Sequence, residues 1–180
     1  MSLLEETLAA AHADAETVRA DGSSLRRLTE GVTPRPAIRH IDNRGSVVEV
    51  FDARWNWHTA PVSFVYSFTI RPGVVKGWGL HQHHDDRYFL LTGEVELVLY
   101  DVRPESPTCG QISKIYMSER TPQLVNIPAR VWHADRNIGT TEAVVLNMPT
   151  EPYNHAAPDK VKLPVGTPLI PHDFGPVEGG

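Results

Sequence analysis

Hydrophobic and polar residues alternate with a period of two from about residue 37 to about residue 150, which is the pattern of half-buried β-strands. Turn residues interrupt the alternation, as at Arg71-Pro72-Gly73 and Thr92-Gly93. Many short strands with turns between them indicate a sandwich or barrel, and a jelly roll fits best. The predicted strands are 46–51, 63–70, 74–81, 86–92, 94–101, 111–117, 123–127, 131–136 and 142–148.

The segment before the barrel has apolar residues at helical spacing. Ser2 and Glu5 form a capping-box pattern, the apolar positions continue to Val18, and Gly22 is a plausible stop before further turns up to Glu30. The segment after the barrel is rich in proline and has no periodicity. We therefore expect an all-β fold with a helical N-terminal extension at 1–36, a barrel at 37–150 and a wrapping C-terminal tail at 151–180.

Composition narrows the class of protein. The 180 residues are 41% hydrophobic and 22% charged, as in globular domains, and the net charge of −5 argues against a nucleic-acid partner. No apolar run approaches the ~18 residues that span a bilayer, and no secretory signal is visible. The single cysteine, Cys109, suits a reducing compartment, so we expect a cytoplasmic protein.

Histidines mark the candidate chemistry. Three of the nine fall within four positions, at His81, His83 and His84, and His133 follows at the end of a later predicted strand. Imidazoles gather in this way where a site needs neutral nitrogen ligands or a proton acceptor that works near neutrality. Because alternate side chains of a strand share a face, His81 and His83 point in the same direction unless the turn has already begun.

The two histidine segments resemble the two halves of a cupin signature. In that signature a histidine-containing motif ends in Gly, and a second motif reads Pro-x-Gly-x-x-His-x-x-x-Asn. The second half spans Pro128 to Asn137 here, with Arg130 where Gly is usual. The resemblance implies a double-stranded β-helix, which agrees with the jelly roll that the strand pattern predicts.

The cupin resemblance also implies a set of metal ligands. In metal-binding cupins a carboxylate lies seven residues before the Gly that ends the first motif, and Asp86 has that offset from Gly93. His81, Asp86 and His133 are then the expected ligands of Fe, Mn, Ni or Zn. A second register, with His81 and His83 as the pair, makes the carboxylate spacing too short by two.

The barrel segment resembles the dTDP-4-dehydrorhamnose 3,5-epimerase family in particular. The resemblance rests on Asp42-x-Arg44-Gly45, on Gly73 to Gly77, and on Asp101-Val102-Arg103 followed by Ser106-Pro107-Thr108-x-Gly110. It covers roughly residues 40–153. Membership of this family implies a jelly-roll cupin, a small-molecule substrate and a homodimer.

The same resemblance implies positions for the family's catalytic groups. In an alignment without gaps, the phosphate-binding Arg falls on Lys76 and the His base falls on Gly79, whereas a two-residue gap would let His81 serve. The Tyr acid falls on Asn147. The Asp that orients the base falls in Leu163-Pro164-Val165, where there is no acid. Epimerisation beside a ketone needs a base and an acid, so we expect the family's own 3,5-epimerase activity to be absent.

Other side chains complete the expected ligand site. Arg44 and Glu49 match the part of the family that holds the nucleotide across the dimer interface. The family's polar nucleotide contacts fall on Phe64 and Tyr66, which predicts an aromatic wall, and Arg87 is a candidate for gripping a carboxylate or phosphate. The full set of expected substrate-binding residues is Arg44, Glu49, Phe64, Tyr66, Lys76, His83, Arg87 and Asn147, with Phe68, Trp78 and Trp132 as further aromatic candidates.

Three functions remain open from the sequence. The first is an isomerase or epimerase that acts on a sugar or another small ligand in the barrel, with His81 and His133 as catalytic residues. The second is a metal-dependent cupin enzyme, a dioxygenase or lyase, that uses His81, Asp86 and His133. The third is a cupin that binds a ligand without catalysis.

Overall fold

Two β-sheets face each other in the computed structural model, which describes residues 1–179. One short helix precedes them, and a short 3₁₀ turn at Ala53–Trp55 links the first strands to the barrel. The helix and strands are α1 Leu3–Ala10, β1 Thr33–Pro36, β2 Arg39–Asp42, β3 Gly45–Val48, β4 Tyr66–Ile70, β5 Val74–His81, β6 Asp86–Thr92, β7 Glu94–Asp101, β8 Ile112–Ser118, β9 Gln123–Ile127, β10 Val131–Asn137, β11 Ala143–Asn147, β12 Lys160–Lys162 and β13 Glu178–Gly179.

The strand order is that of a jelly roll and confirms the predicted fold class. The first sheet has the order β1-β9-β6-β11-β4, and the second has the order β12-β5-β10-β7-β8, with β13 added in parallel to β5. All other pairings are antiparallel. The hairpin of β2 and β3 forms a separate two-stranded sheet.

The period-two pattern located the barrel strands well. The predictions for 74–81, 86–92, 94–101 and 123–127 agree with the structure to the residue, and the other five differ at their ends. Four strands were missed, namely β1, β2, β12 and β13. These strands are two to four residues long, which is too short for alternation to be read from the sequence.

The N-terminal extension is less helical than the sequence predicted. Only Leu3–Ala10 is helical, with the Ser2 and Glu5 capping box in place, and none of its residues is buried. Gly22 has a φ of 81° and lies in a turn between Val18 and Ser24, which form an isolated bridge. Because its apolar residues Leu3, Leu4 and Leu8 are exposed, the helix lacks the packing that would extend it. Within residues 1–179, no helix is long and apolar enough to cross a membrane.

The last residues of the N-terminal segment pair with a strand of the barrel. The strand β1 pairs with β9, from Thr33 opposite Asn126 to Pro36 opposite Gln123, so the end of the extension is an edge strand of the barrel. Two prolines fit there because an edge strand leaves every second N–H without a ladder partner.

Apolar layers on both faces of the six-stranded sheet hold the barrel together. The largest lies between the two sheets and includes Tyr88, Leu97 and Leu99. A second lies outside the six-stranded sheet, where the tail residues Ile170 and Phe174 cover Trp78. These tail residues therefore bury part of the outer face of β5 and β10.

The segment from Asp101 to Thr108, which carries part of the family resemblance, forms a loop that stabilises the fold. The carboxylate of Asp101 is fully buried and accepts hydrogen bonds from the Arg103 backbone and guanidinium and from the hydroxyls of Ser106 and Thr108. Arg103 and Thr108 also bond the backbone of Glu30, which fixes the N-terminal segment to the barrel. Burial would raise the pKa of Asp101, but the hydrogen bonds from Arg103, Ser106 and Thr108 hold it well below its usual range.

Replacing Asp101 with Asn should lower the free energy of unfolding by about 3 kcal/mol at pH 7, because the partly buried guanidinium of Arg103 and the hydroxyls of Ser106 and Thr108 lose the charge to which they donate. Because the pKa of Asp101 is lower in the folded than in the unfolded state, its ionised carboxylate stabilises the fold at pH values above the unfolded-state pKa of about 4. This stabilisation is lost as the pH falls through the folded-state pKa. The difference between wild type and Asp101→Asn, measured by urea unfolding, should therefore be constant above pH 5 and shrink below pH 4.

The matched control is Asp42→Asn, since Asp42 pairs with Arg44 in the same Asp-x-Arg arrangement but on an exposed hairpin. Exposed pairs of this kind contribute about 0–1 kcal/mol. An equal loss of stability in both variants would contradict the assignment of Asp101 as the loop's organising charge.

Candidate active site

A cavity of about 300 Å³ opens between the two sheets. The five-stranded sheet contributes an aromatic wall to it, and the six-stranded sheet with the tail contributes a charged wall. The aromatic wall is Tyr66, Phe68 and Tyr88, and the opposite wall is Lys76, Gly77, Trp78, His133, Asp135, Lys160 and Lys162.

The alternation of β10 selects which of its side chains reach the cavity. His133 and Asp135 point inward, whereas Trp132 and Ala134 pack into the apolar layer under the tail. Trp132 therefore does not contribute its ring to the cavity, which corrects the expected aromatic set. The indole of Trp78 is also turned outward, against His172 and Phe174.

A buried carboxylate joins the two predicted catalytic histidines. Asp86 Oδ2 lies 3.3 Å from His81 Nε2 and 3.6 Å from His133 Nε2, and all three residues are at most 7% exposed. Asn147 Nδ2 donates to the other carboxylate oxygen at 2.6 Å. The three residues that the sequence predicted as metal ligands thus converge, and their ligand atoms lie within 4.8 Å of one another.

The electrostatics of this trio follow from its burial. Burial would raise the pKa of Asp86, but His81 beside it and the hydrogen bond from Asn147 hold that pKa well below its ordinary value, so Asp86 is ionised. Burial lowers the pKa of His133 to about 4. His133 Nδ1 lies 3.3 Å from the carbonyl of Val131, which can only accept a hydrogen bond, so the neutral ring carries its proton on Nδ1 and a lone pair on Nε2.

The tail supplies a carboxylate that sequence comparison did not find. Asp159 Oδ2 lies 2.9 Å from His84 Nδ1 and 3.6 Å from His81 Nδ1, and the carboxylate accepts the backbone N–H groups of Gln82 and His83. Asp159 lies four residues before Leu163, where the segment 163–165 aligned to the family's Asp begins, so the alignment without gaps did not identify it. His84, buried beside His81 with ring centroids 4.1 Å apart, was also missed.

A phenol lies beside Asn147, the position onto which the ungapped alignment places the family's Tyr acid. Asn147 and Tyr66 are direct partners across the β11–β4 pair, and Asn147 Nδ2 donates to the Tyr66 hydroxyl at 2.9 Å. Because that hydroxyl accepts from Asn147, its own proton is free to point into the cavity. Burial, with the charge of Asp86, raises the pKa of Tyr66 to about 12, so the phenol keeps its proton at neutral pH.

Arg87 is a structural residue here. Its side chain is fully buried, and each guanidinium nitrogen donates to backbone carbonyls, which belong to Ala60, Pro61, Met148 and Pro149. These contacts tie the loop before β4 to the end of β11. An arginine with its donors used in this way does not grip a ligand, contrary to the expectation from the sequence.

The remaining predicted residues lie away from the cavity. Arg44 forms an ion pair with Asp42 on the exposed β2–β3 hairpin, and Glu49 is exposed just after it. The His83 side chain is 76% exposed at the turn after β5. Phe64 is half-buried and contacts the ring of Tyr66 from outside the cavity lining, with centroids 5.6 Å apart. The dimer interface expected at Arg44 and Glu49 stays a prediction.

Two residues that the sequence did not single out face the cavity. Asp135 is 4% exposed, its Oδ1 has no hydrogen-bond partner, and burial raises its pKa to about 7. Lys160 reaches the cavity from β12, which pairs with the end of β5. Asp135 could have been found from its alternation with His133, but nothing in the sequence pattern identifies Lys160.

Comparison with known proteins identifies the family of this chain. Residues 40–161 match the family model described as the polysaccharide biosynthesis C-terminal domain. The spore coat polysaccharide biosynthesis protein SpsL of Bacillus subtilis is 34% identical over 139 residues, which are 76% of this chain and 90% of that protein. The probable low-salt glycan biosynthesis epimerase Agl13 of Haloferax volcanii is 34% identical over 129 residues, covering 69% and 81%.

Solved structures show the same fold. A dTDP sugar isomerase from Desulfovibrio desulfuricans superposes with a TM-score of 0.75 at 24% identity and covers 81% of this chain and 91% of that one. The predicted cupin fold and its likeness to the dTDP-sugar epimerases are thereby confirmed.

Replacing Arg87 with Lys should lower the free energy of unfolding by about 3 kcal/mol, because one ammonium cannot satisfy the buried carbonyls that the guanidinium bonds. Urea unfolding measures the change. Arg44→Lys is the matched control and should stay within about 0.5 kcal/mol of wild type, since Arg44 is exposed. Unchanged stability in Arg87→Lys would contradict the structural role.

Proposed function

This chain belongs to the polysaccharide biosynthesis C-terminal domain family, and we propose that it epimerises a nucleotide-linked keto sugar within the barrel. One relative at 34% identity is described as a glycan biosynthesis epimerase and another as a polysaccharide biosynthesis protein, which supports this class of substrate. The observation that carries the proposal is that a neutral imidazole and a protonated phenol project into one cavity from opposite sheets.

His133 is the proposed base. Its Nε2 carries a lone pair and has no hydrogen-bond partner, and it borders the cavity. When it takes a proton from the carbon beside the ketone, the ionised Asp86 3.6 Å away stabilises the imidazolium that forms. His81 Nε2 lies 3.3 Å from the same carboxylate oxygen and holds that carboxylate in place, so both histidines serve the same proton transfer.

Tyr66 is the proposed acid. Inversion of a carbon requires that the proton return on the face opposite to the one from which it left. His133 belongs to β10 of the six-stranded sheet and Tyr66 to β4 of the facing sheet, so the two groups can reach opposite faces of one ring. Phe68 and Tyr88 supply flat apolar surface beside them, and Lys76, Lys160 and Lys162 make the rim attractive to the diphosphate of a nucleotide sugar.

Deuterium exchange separates the two roles. With a dTDP-linked or UDP-linked 4-keto-6-deoxyhexose in D₂O, wild type should incorporate deuterium beside the ketone and yield inverted product. Tyr66→Phe should still exchange the hydrogen but form inverted product on the order of 100-fold more slowly. His133→Ala should lose both activities by a similar factor, because no base remains. Mass spectrometry and NMR of the sugar measure both rates.

The matched control is Tyr116→Phe, a tyrosine on the outer face whose hydroxyl donates to Glu96. It should leave both rates unchanged. Tight binding of these nucleotide sugars by wild type with neither exchange nor inversion would instead establish a ligand-binding cupin and refute the proposed reaction.

A metal-dependent enzyme is the second candidate, because of three buried atoms. His81 Nε2, Asp86 Oδ2 and His133 Nε2 converge, and none of them has a hydrogen-bond partner within residues 1–179. Unpaired buried polar atoms are destabilising unless something binds them. Two imidazoles and one carboxylate fit Fe, Mn, Ni or Zn with open positions, and a metal held by them would supply Lewis-acid chemistry.

Elemental analysis of tag-free protein, purified without added metal, tests this candidate. About one metal per chain in wild type, absent from both His81→Ala and His133→Ala, would establish the metal site. It would also remove His133 as the base, since its lone pair would be used. Metal-free protein whose melting temperature does not change with Fe, Mn, Ni or Zn would contradict a metal site. His81, Asp86 and His133 would then remain available for proton transfer.

A further inference from the structure

A lysine of the C-terminal tail occupies the space that Gly79 leaves open. The strand β12 pairs antiparallel with β5, with Lys160 opposite His81 and Lys162 opposite Gly79. A Cβ atom built on Gly79 would overlap Cε of Lys160 and would lie 3.0 Å from its Nζ. The ammonium therefore lies against the backbone at the position where the related family is expected to carry its base.

The same point in space is close to His133. That Cβ atom would lie 3.6 Å from His133 Nε2, so the end of the otherwise exposed Lys160 side chain and the imidazole of His133 flank one spot on the wall of the cavity. Lys160 lines both this cavity and the smaller recess of about 130 Å³ that contains His81, His84 and Asp159. The tail thus delivers a cation next to the proposed proton acceptor.

The charge of Lys160 is not used by a protein partner. Lys114, on the outer face, forms an ion pair with Glu96 at 2.8 Å. Within residues 1–179, Lys160 forms no ion pair with a side-chain carboxylate. The carboxyl of Asp135 also faces the cavity, and burial raises its pKa to about 7 although the Lys160 ammonium acts in the opposite direction. An unpaired ammonium beside an unpaired imidazole is free to contact a ligand.

We propose that Lys160 is a catalytic residue that donates a hydrogen bond to the ketone oxygen of the substrate while His133 removes the neighbouring proton. This inference rests on the proposed epimerase function. As the C–H bond breaks, its electron pair forms the carbon–carbon double bond of an enolate, and the carbonyl π pair moves onto oxygen. The ammonium stabilises that negative charge, which is the largest charge change in the step. Return of a proton to carbon reverses the shift.

The proposed role of Lys160 then explains why residue 79 has no side chain. Its backbone conformation is open to any residue, because no positive φ is found there, so the absence of a side chain serves to admit Lys160. Adding a methyl group at residue 79 should displace the flexible end of Lys160 without disturbing the barrel. The position of the lysine can therefore be changed without changing its charge.

Lys160→Met, Gly79→Ala and the double variant test this inference. Lys160→Met keeps the volume of the side chain and removes the charge, and it should lower kcat for deuterium exchange on the order of 100-fold, with KM changed no more than about 3-fold. Gly79→Ala should lower kcat in the same direction. The double variant should be no slower than Lys160→Met alone, because both changes remove one interaction.

Val161→Ala is the control, since Val161 lies between the two lysines on the opposite face of β12 and is exposed. It should match wild type, and the melting temperatures of all variants show that each is folded. If wild type exchanges and Lys160→Met keeps its kcat, or changes only KM, the inference on Lys160 is overturned and the epimerase function stands. If wild type does not exchange at all, the epimerase function fails and the role of Lys160 fails with it.

Discussion

The carboxylate of Asp86 is the charge around which the site is organised. It is 2% exposed and ionised, and an isolated charge so deeply buried would be strongly destabilising. Its partners come from neighbouring strands: His81 from β5, His133 from β10 and Asn147 from β11. Because these strands belong to both sheets, satisfying one buried charge fixes the distance between the sheets and thereby the width of the cavity.

Asn147 connects the Asp86 carboxylate to Tyr66, the proposed acid. Its amide nitrogen donates both to Asp86 and to the hydroxyl of Tyr66, and its carbonyl oxygen accepts the Arg87 backbone N–H. An amide is the side chain that can make all of these bonds without a charge of its own. An amide at residue 147 is therefore compatible with a phenol in the site, since its strand partner Tyr66 provides one.

The sequence predicted the parts of the site that lie on regular strands. His81, Asp86 and His133 were identified because alternation and motif spacing both depend on strand geometry, and strands of five to eight residues express it. Arg87 was misjudged because its neighbours Ala60 and Pro149 are remote in sequence, so its burial leaves no local pattern. Asp159 and Lys160 escaped because a three-residue strand in a proline-rich tail has no readable period.

The tail shows how an irregular segment can position catalytic side chains. Ile170 and Phe174 bury against Trp78 on the outer face of β5, which anchors the tail through apolar area rather than through charge. The strand β12 pairs with the edge of β5 and turns Lys160 around that edge toward the cavity. The apolar anchor of the tail and the proposed catalytic lysine thus lie on opposite faces of β5. The polar end of the tail can vary while the apolar anchor keeps it in place, so a change in the proposed catalytic lysine does not require a change in the barrel.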